Sequence, residues 1–357
     1  MTQAYADKFR EDGFLVVHGL FDHHDDIAPI RKAYTQLIDA LATIYMIETD
    51  FAERESYASL SLADRFAILL GASGGAAMHH LDPILNIYLP NYQHHLELPS
   101  AQIPALFNFM RQKKLLDVLE HLIGGEIFAS PIYHVNFKLA KKHLERVEMV
   151  AKSVNQDNPA LEGFYNFQVG KTDWHMDAIS GLSDSHESQI VNAWIPITEA
   201  RAENGCLLVI PASHKSGVLP GASDEMIERA IPLEVNPGDV VILDNKLLHG
   251  ATSNTSTDDY RWAFNFRYLP IGQTSGRPFL PGFVARSRKA PHTELHNPYI
   301  WSTMWDRALA YRVKHGAPYS YAALRANEIS DEEAKSITAH WQELAPDANG
   351  WLRLGRA

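Results

Sequence analysis

Ile190-Val191-Asn192-Ala193-Trp194-Ile195 opens a series of short β-rich runs that continues through Leu207–Ile210, Leu233-Glu234-Val235, Val240-Val241-Ile242-Leu243 and Trp262–Tyr268. Gly, Pro, Asn and Asp turns join them, with no regular crossover helices between. Strands connected in that way pair antiparallel. The expected fold is therefore mainly β with flanking helices, around a double-sheet jelly roll, a cupin-like double-stranded β-helix, and not a doubly wound α/β sheet. Its site would lie in the mouth of the roll. Upstream, Gly124-Gly125 closes a helical section, and the β pattern starts from Ile127 with Tyr133-His134-Val135-Asn136-Phe137-Lys138 and Phe164-Tyr165-Asn166-Phe167-Gln168-Val169.

The flanks read differently. A short polar helix, an Asp12-Gly13 turn, a strand at Phe14-Leu15-Val16-Val17 and a helix across Ile27 to Leu41 lead in. Residues 45–125 carry Leu, Ala and Met at helical spacing, as in Phe66-Ala67-Ile68-Leu69-Leu70 and Leu115-Leu116-Asp117-Val118-Leu119. Segments 139–163 and 178–188 are too polar and too long for hairpin loops and are expected to act as lids or insertions. After Pro270 a Pro/Gly-rich stretch precedes an aromatic helical tail with Trp301, Trp305 and Tyr311, expected to pack on the helical layer. One domain is expected over 1–357: a strand and helical layer (1–125), a jelly-roll core (126–270) and a helical tail (271–357).

The composition narrows function. The chain has 357 residues, 46% hydrophobic and 21% charged, with a formal net charge of −11. That balance argues against nucleic-acid or anionic-membrane surfaces, which need clustered Lys and Arg, and leaves a small-molecule substrate. The single cysteine, Cys206, sits in an apolar run and reads as a buried strand residue. No signal-peptide pattern and no apolar run near roughly 18 residues is present. A soluble, cytoplasmic monomer or homodimer is expected.

Chemistry concentrates at Trp174-His175-Met176-Asp177. On an extended chain His175 and Asp177 point to the same face and can grip one metal ion. His249, in Asp244-Asn245-Lys246-Leu247-Leu248-His249-Gly250, lies 72 residues on and supplies a third ligand. Two imidazoles and a carboxylate form a facial triad that leaves positions open on non-haem Fe(II). Arg261 follows a further 12 residues on, enough for a turn and a return strand. Its guanidinium stays charged and can bind a carboxylate bidentately.

Several motifs occurring in order make the chain resemble the phytanoyl-CoA dioxygenase-like Fe(II)/2-oxoglutarate oxygenases. They are Phe9 to Val17, Asn136-Phe137-Lys138, Trp174 to Asp177, Asn204 to His214, Pro237 to Asp244, His249-Gly250, Asn254-Thr255-Ser256 and Arg261. The resemblance implies His175, Asp177 and His249 as iron ligands and Arg261 as anchor of the distal carboxylate of 2-oxoglutarate. It places Trp194 at a tryptophan lining the cosubstrate pocket in some members, with Lys138 and Thr172 able to touch the cosubstrate. One departure is Ala251-Thr252, where many members have a small hydroxyl residue two after the distal histidine. Related halogenases replace the carboxylate ligand with a small residue, so Asp177 points to oxidation without halogen.

Other residues have plainer readings. Trp194 can equally be core, since aromatics dominate strand packing. Arg267, six after Arg261 and on the same strand face, is the reserve carboxylate binder. His23-His24, His79-His80 and His94-His95 read as surface or loop residues, because adjacent side chains diverge. His214 reads as structural, and His134, on the side of Asn136 and Lys138, can face substrate.

The expected activity is hydroxylation of an unactivated C–H of a small, specialised-metabolite-like substrate by Fe(II), 2-oxoglutarate and O2, with release of succinate and CO2. The alternatives are a desaturase or cyclisation-type oxidase on the same scaffold, a Zn-dependent hydrolase using the same ligands, and a non-catalytic binding module. No basic cluster stands out to receive the nucleotide phosphates of an acyl-CoA.

Overall fold

The computed structural model describes residues 3–46, 56–82, 100–154, 171–180, 183–277 and 280–315. Its strands are β1 (Phe14–Val17), β2 (Glu126–Lys138), β3 (Thr172–His175), β4 (Val191–Pro196), β5 (Leu207–Val209), β6 (Ile231–Leu233), β7 (Val240–Asp244), β8 (His249–Ala251), β9 (Arg261–Pro270) and β10 (Phe283–Ser287). Six form a sheet in the order β1-β7-β4-β9-β2-β10, and four form a second in the order β3-β8-β5-β6. Every pairing is antiparallel. This is the jelly roll that the run spacing predicts. The expected strand at Phe164–Val169 lies outside the described residues.

Alternation along the larger sheet sorts side chains into two environments. On one face Val191, Ala193 and Ile195 of β4, Trp262, Phe264, Phe266 and Tyr268 of β9, and Tyr133, Val135 and Phe137 of β2 join the core beneath the helical layer. That layer comprises helices Ala28–Tyr45, Leu62–Ala72, Pro104–Met110 and Lys113–Ile123. The other face turns toward the smaller sheet. There Phe14, Trp194, Val241 and Leu243 meet Cys206, Leu207, Val209 and Leu233 in a second core. Cys206 is buried as expected, one residue before β5 rather than within a strand.

Three elements differ from expectation. β10 falls inside the stretch read as a Pro/Gly-rich lead and pairs with the start of β2. The described part of the first expected lid is a helix, Lys141–Val154, and His143 Nε2 donates to Asp64 Oδ1 of helix Leu62–Ala72 at 2.6 Å; residues 155–163 lie outside the description. The second is built from two 3₁₀ turns, Asp177–Ser180 and Ser183–Glu187. The tail helix Pro298–His315 packs as predicted: Trp301 meets Phe107 at 5.6 Å and Tyr133 at 6.0 Å between ring centroids. Tyr311's side chain and residues beyond 315 are not described. Among the described residues no helix is long and apolar enough to cross a membrane.

Candidate metal centre

His175 ends β3 and His249 begins β8, and the two are direct register partners in the smaller sheet. Their ring centroids stand 4.3 Å apart. Asp177 follows on a 3₁₀ turn whose next residue, Ala178, donates its N–H to Asn245 O at 2.9 Å. Ligand atoms of the three residues all lie within 4.8 Å of one another, the one such group found among the described residues. His175 Nε2 is 3.7 Å from Asp177 Oδ1, and His249 Nε2 is 3.8 Å from Oδ2.

The outward nitrogens fix the tautomers. His175 Nδ1 donates to Asp173 O at 2.8 Å and His249 Nδ1 donates to Leu247 O at 3.0 Å. A carbonyl can only accept, so each Nδ1 carries the proton and each Nε2 turns its lone pair toward the others, as metal-bound histidines do. Burial, with His249 close by, pushes His175 down to about 4, so it stays neutral at working pH. The donor set, two imidazoles and a carboxylate, fits Fe(II).

Asp177 is gripped at both oxygens. Asn192 Nδ2 donates to Oδ2 at 2.5 Å, and Arg267 Nη2 pairs with Oδ1. Burial alone would raise its pKa. Arg267, followed by His249 and His175, outweighs that and holds the carboxyl well below the usual range. Arg267 is thus engaged by the protein's own carboxylate and does not stand in reserve for a cosubstrate.

Along the same face lies a cationic end. Lys138 and Arg261 are cross-strand partners on β2 and β9, and both are buried. Arg261 Nε donates to Gly205 O at 3.0 Å, its guanidinium lies 5.4 Å from the Trp194 ring centroid, and its Nη1 is buried without a hydrogen-bond partner. Among the described residues no carboxylate reaches salt-bridge distance of it. Burial pushes Arg261 down to about 10; burial, then Arg261, pushes Lys138 down to about 6. Lys138 Nζ donates to Thr172 Oγ1 at 3.3 Å. A buried guanidinium with an unsatisfied N–H beside a discharged lysine fits an incoming carboxylate.

The sequence model of the phytanoyl-CoA dioxygenase (PhyH) family matches residues 93–263, a span containing all three ligand candidates and Arg261. Over that span the chain is similar to the phytanoyl-CoA dioxygenase family. Among PhyH relatives, phytanoyl-CoA dioxygenase domain-containing protein 1 of Rattus norvegicus is 28% identical over 323 residues, covering 84% of this chain and 99% of the rat protein. Its Dictyostelium discoideum homolog is 23% identical, over 75% of this chain and 91% of its own. The crystal structure of EctD from S. alaskensis with bound Fe aligns at 19% identity and a TM-score of 0.46, covering 79% of each chain.

Other PhyH motif residues serve the frame. Asp239 accepts from Gly19 N and Asn236 N, pinning the loop after β1. Ser213 Oγ accepts from Leu248 N at 2.9 Å just before His249, and His214 Nε2 donates to Arg10 O at 3.1 Å, a structural role as read. Asn254 Nδ2 donates to Lys138 O at 3.2 Å and Asp259 O at 2.8 Å, fixing the end of β2. The reading of His79-His80 as surface is corrected at His80, which is fully buried with Nε2 3.2 Å from the Tyr45 hydroxyl. His24 is exposed, and His94-His95 lie outside the described residues.

Two partners escaped the sequence. Asn192 could have been found from its i, i+2 relation to Trp194, which puts both on the inner face. Asp82 carried no signal: it is fully buried, and its Oδ2 accepts from Val135 N and His134 Nδ1, both at 3.1 Å, across more than 50 residues of chain.

Proposed function

We propose that this protein is an Fe(II)- and 2-oxoglutarate-dependent oxygenase of the PhyH kind that hydroxylates an unactivated C–H bond of a small molecule. One observation carries the reading: three convergent ligand atoms occur together with a buried arginine on the larger sheet whose Nη1 lacks a partner. A zinc hydrolase needs the first feature and has no use for the second.

In this reading His175, Asp177 and His249 hold the iron. Arg261, with Lys138 and Thr172 beside it, receives the distal carboxylate of 2-oxoglutarate, and Trp194 walls that end. Bound iron, 2-oxoglutarate and O2 together supply the oxidation, with succinate and CO2 released. The chain's own contribution is positional. The carbonyls of Asp173 and Leu247 orient the imidazoles, Arg267 keeps Asp177 ionised, Asn192 holds its other oxygen, and the inter-sheet core excludes water from the cosubstrate end.

Anaerobic addition of Fe(II) and 2-oxoglutarate should produce the weak visible charge-transfer band of the chelate. A screen of small molecules should then show succinate release with a product heavier by one oxygen. Absence of the band, or turnover without O2, would overturn the reading.

A further inference from the structure

We propose that Arg267 and Asn192 are positioning residues that form a preassembled two-donor receptor for the carboxylate ligand, and that metal affinity depends on this receptor as well as on the three ligands. The inference rests on the metal-centre reading above and deepens it.

The argument begins with which sheet holds what. Both histidines belong to the smaller sheet, on register-paired β3 and β8. Asp177 sits on the turn after β3, yet both its oxygens are held from the larger sheet. Asn192 on β4 and Arg267 on β9 are themselves register partners, so their side chains rise from adjacent strands on one face. Asn192 is fully buried and Arg267 is 2% exposed. The receptor is therefore rigid and dry, and each donor meets a different oxygen of one carboxylate. That two-point hold fixes the plane of the carboxylate, which a single hydrogen bond would leave free to rotate.

The spacing along β9 separates two tasks. Arg261 and Arg267 share a face six residues apart, about 20 Å at strand rise. That is too far for both to hold one end of a five-carbon dicarboxylate. One guanidinium is placed for a carboxylate that arrives, the other for a carboxylate that is built in. Partners of this kind typically alter metal affinity 10- to 100-fold when removed.

The test uses the full chain with Mn2+ as probe, free of any need for substrate. Mn2+ titration should show Arg267→Met binding about 10- to 100-fold more weakly than wild type. Arg267→Lys and Asn192→Ala, which keep more of the receptor, should fall between. Circular dichroism and melting curves establish that each variant is folded; if Arg267→Met is not, the other two decide. Asp177→Ala should lose Mn2+ binding, and sodium formate should restore part of it, because both donors remain to seat an exogenous carboxylate. The double variant Asp177→Ala with Arg267→Met should not respond to formate. Wild-type affinity in folded Arg267→Lys and Asn192→Ala overturns the proposal, as does formate acting equally, or not at all, on the single and double variants. A wild type that binds no Mn2+ or Fe2+ overturns the metal-centre reading along with it.

Discussion

Lys138 and Arg261 are direct neighbours across β2 and β9, two buried cationic side chains held side by side, with Thr172 Oγ1 3.3 Å from the lysine nitrogen. Burial first, and then the neighbouring charge of Arg261, push the lysine down to about 6. A cationic face that is half discharged when empty has measurable consequences for ligand binding.

The first is proton uptake. At pH 8 Lys138 is neutral in the empty protein and should recharge when the distal carboxylate of 2-oxoglutarate settles against it. Calorimetry in two buffers of different ionisation enthalpy should show uptake approaching one proton, and affinity should fall as pH rises above about 6. Lys138→Met should abolish the uptake. A wild type that takes up no proton would remove Lys138 from the cosubstrate site.

The same group shapes stability. Its ordinary value of 10.5 is depressed to about 6 in the fold. Between those values the unfolded chain holds more protons than the native one, so the ligand-free protein gains stability as pH rises through that window. Denaturant midpoints for wild type should therefore climb from pH 6 toward pH 10 relative to Lys138→Met, whose curve lacks this slope.

Arg261→Ala should leave Mn2+ and Fe(II) binding intact and weaken 2-oxoglutarate on the order of 100-fold, the loss of a charged two-point contact worth roughly 3 kcal/mol. Titrating the charge-transfer band gives both affinities in one experiment. Unchanged 2-oxoglutarate affinity would move the anchor elsewhere.

Gly205→Ala tests the packing around Arg261 and Lys138. The residue has φ +83°, and a Cβ there would meet Thr252 O at 2.6 Å and Lys138 Cδ at 2.7 Å. Strain of about 1–3 kcal/mol is expected, along with weaker 2-oxoglutarate binding because Lys138 must move. Chemical denaturation and the same band titration report the two effects separately.

Trp301→Ala addresses the tail helix. Trp301 is 1% exposed and packs on Phe107, Tyr133 and Phe283. Its truncation should cost about 3–5 kcal/mol of stability, while metal affinity of the folded protein stays at the wild-type level because these contacts lie on the far face of the larger sheet.

Much of this architecture was legible because its signals are local. The β-rich runs at 133–138, 190–195 and 262–268 marked strands, and alternation put Lys138 on the side of His134 and Asn136, and Arg267 on the side of Arg261. The His175 and Asp177 pair was marked by its spacing together with the ordered motifs around it. What stayed hidden depends on distant partners. Whether Arg267 meets an incoming carboxylate or Asp177 turns on how the sheets are stacked, and the His134–Asp82 contact joins elements whose separation in sequence carries no periodicity. β10 was missed because five residues beside Pro281-Gly282 are too few to show a pattern, and β8 because three are fewer still.

Strand β9 alternates an aromatic row, Trp262, Phe264, Phe266 and Tyr268, with Arg261, Ala263, Asn265 and Arg267. Inserting or deleting one residue would exchange the rows, sending guanidinium groups under the helices and phenyl rings into the metal face. In evolutionary terms the segment is locked by parity: it can change residue by residue, but not in length. New substrate ranges in descendants of this sequence have to arise elsewhere, in connections whose length is free to drift.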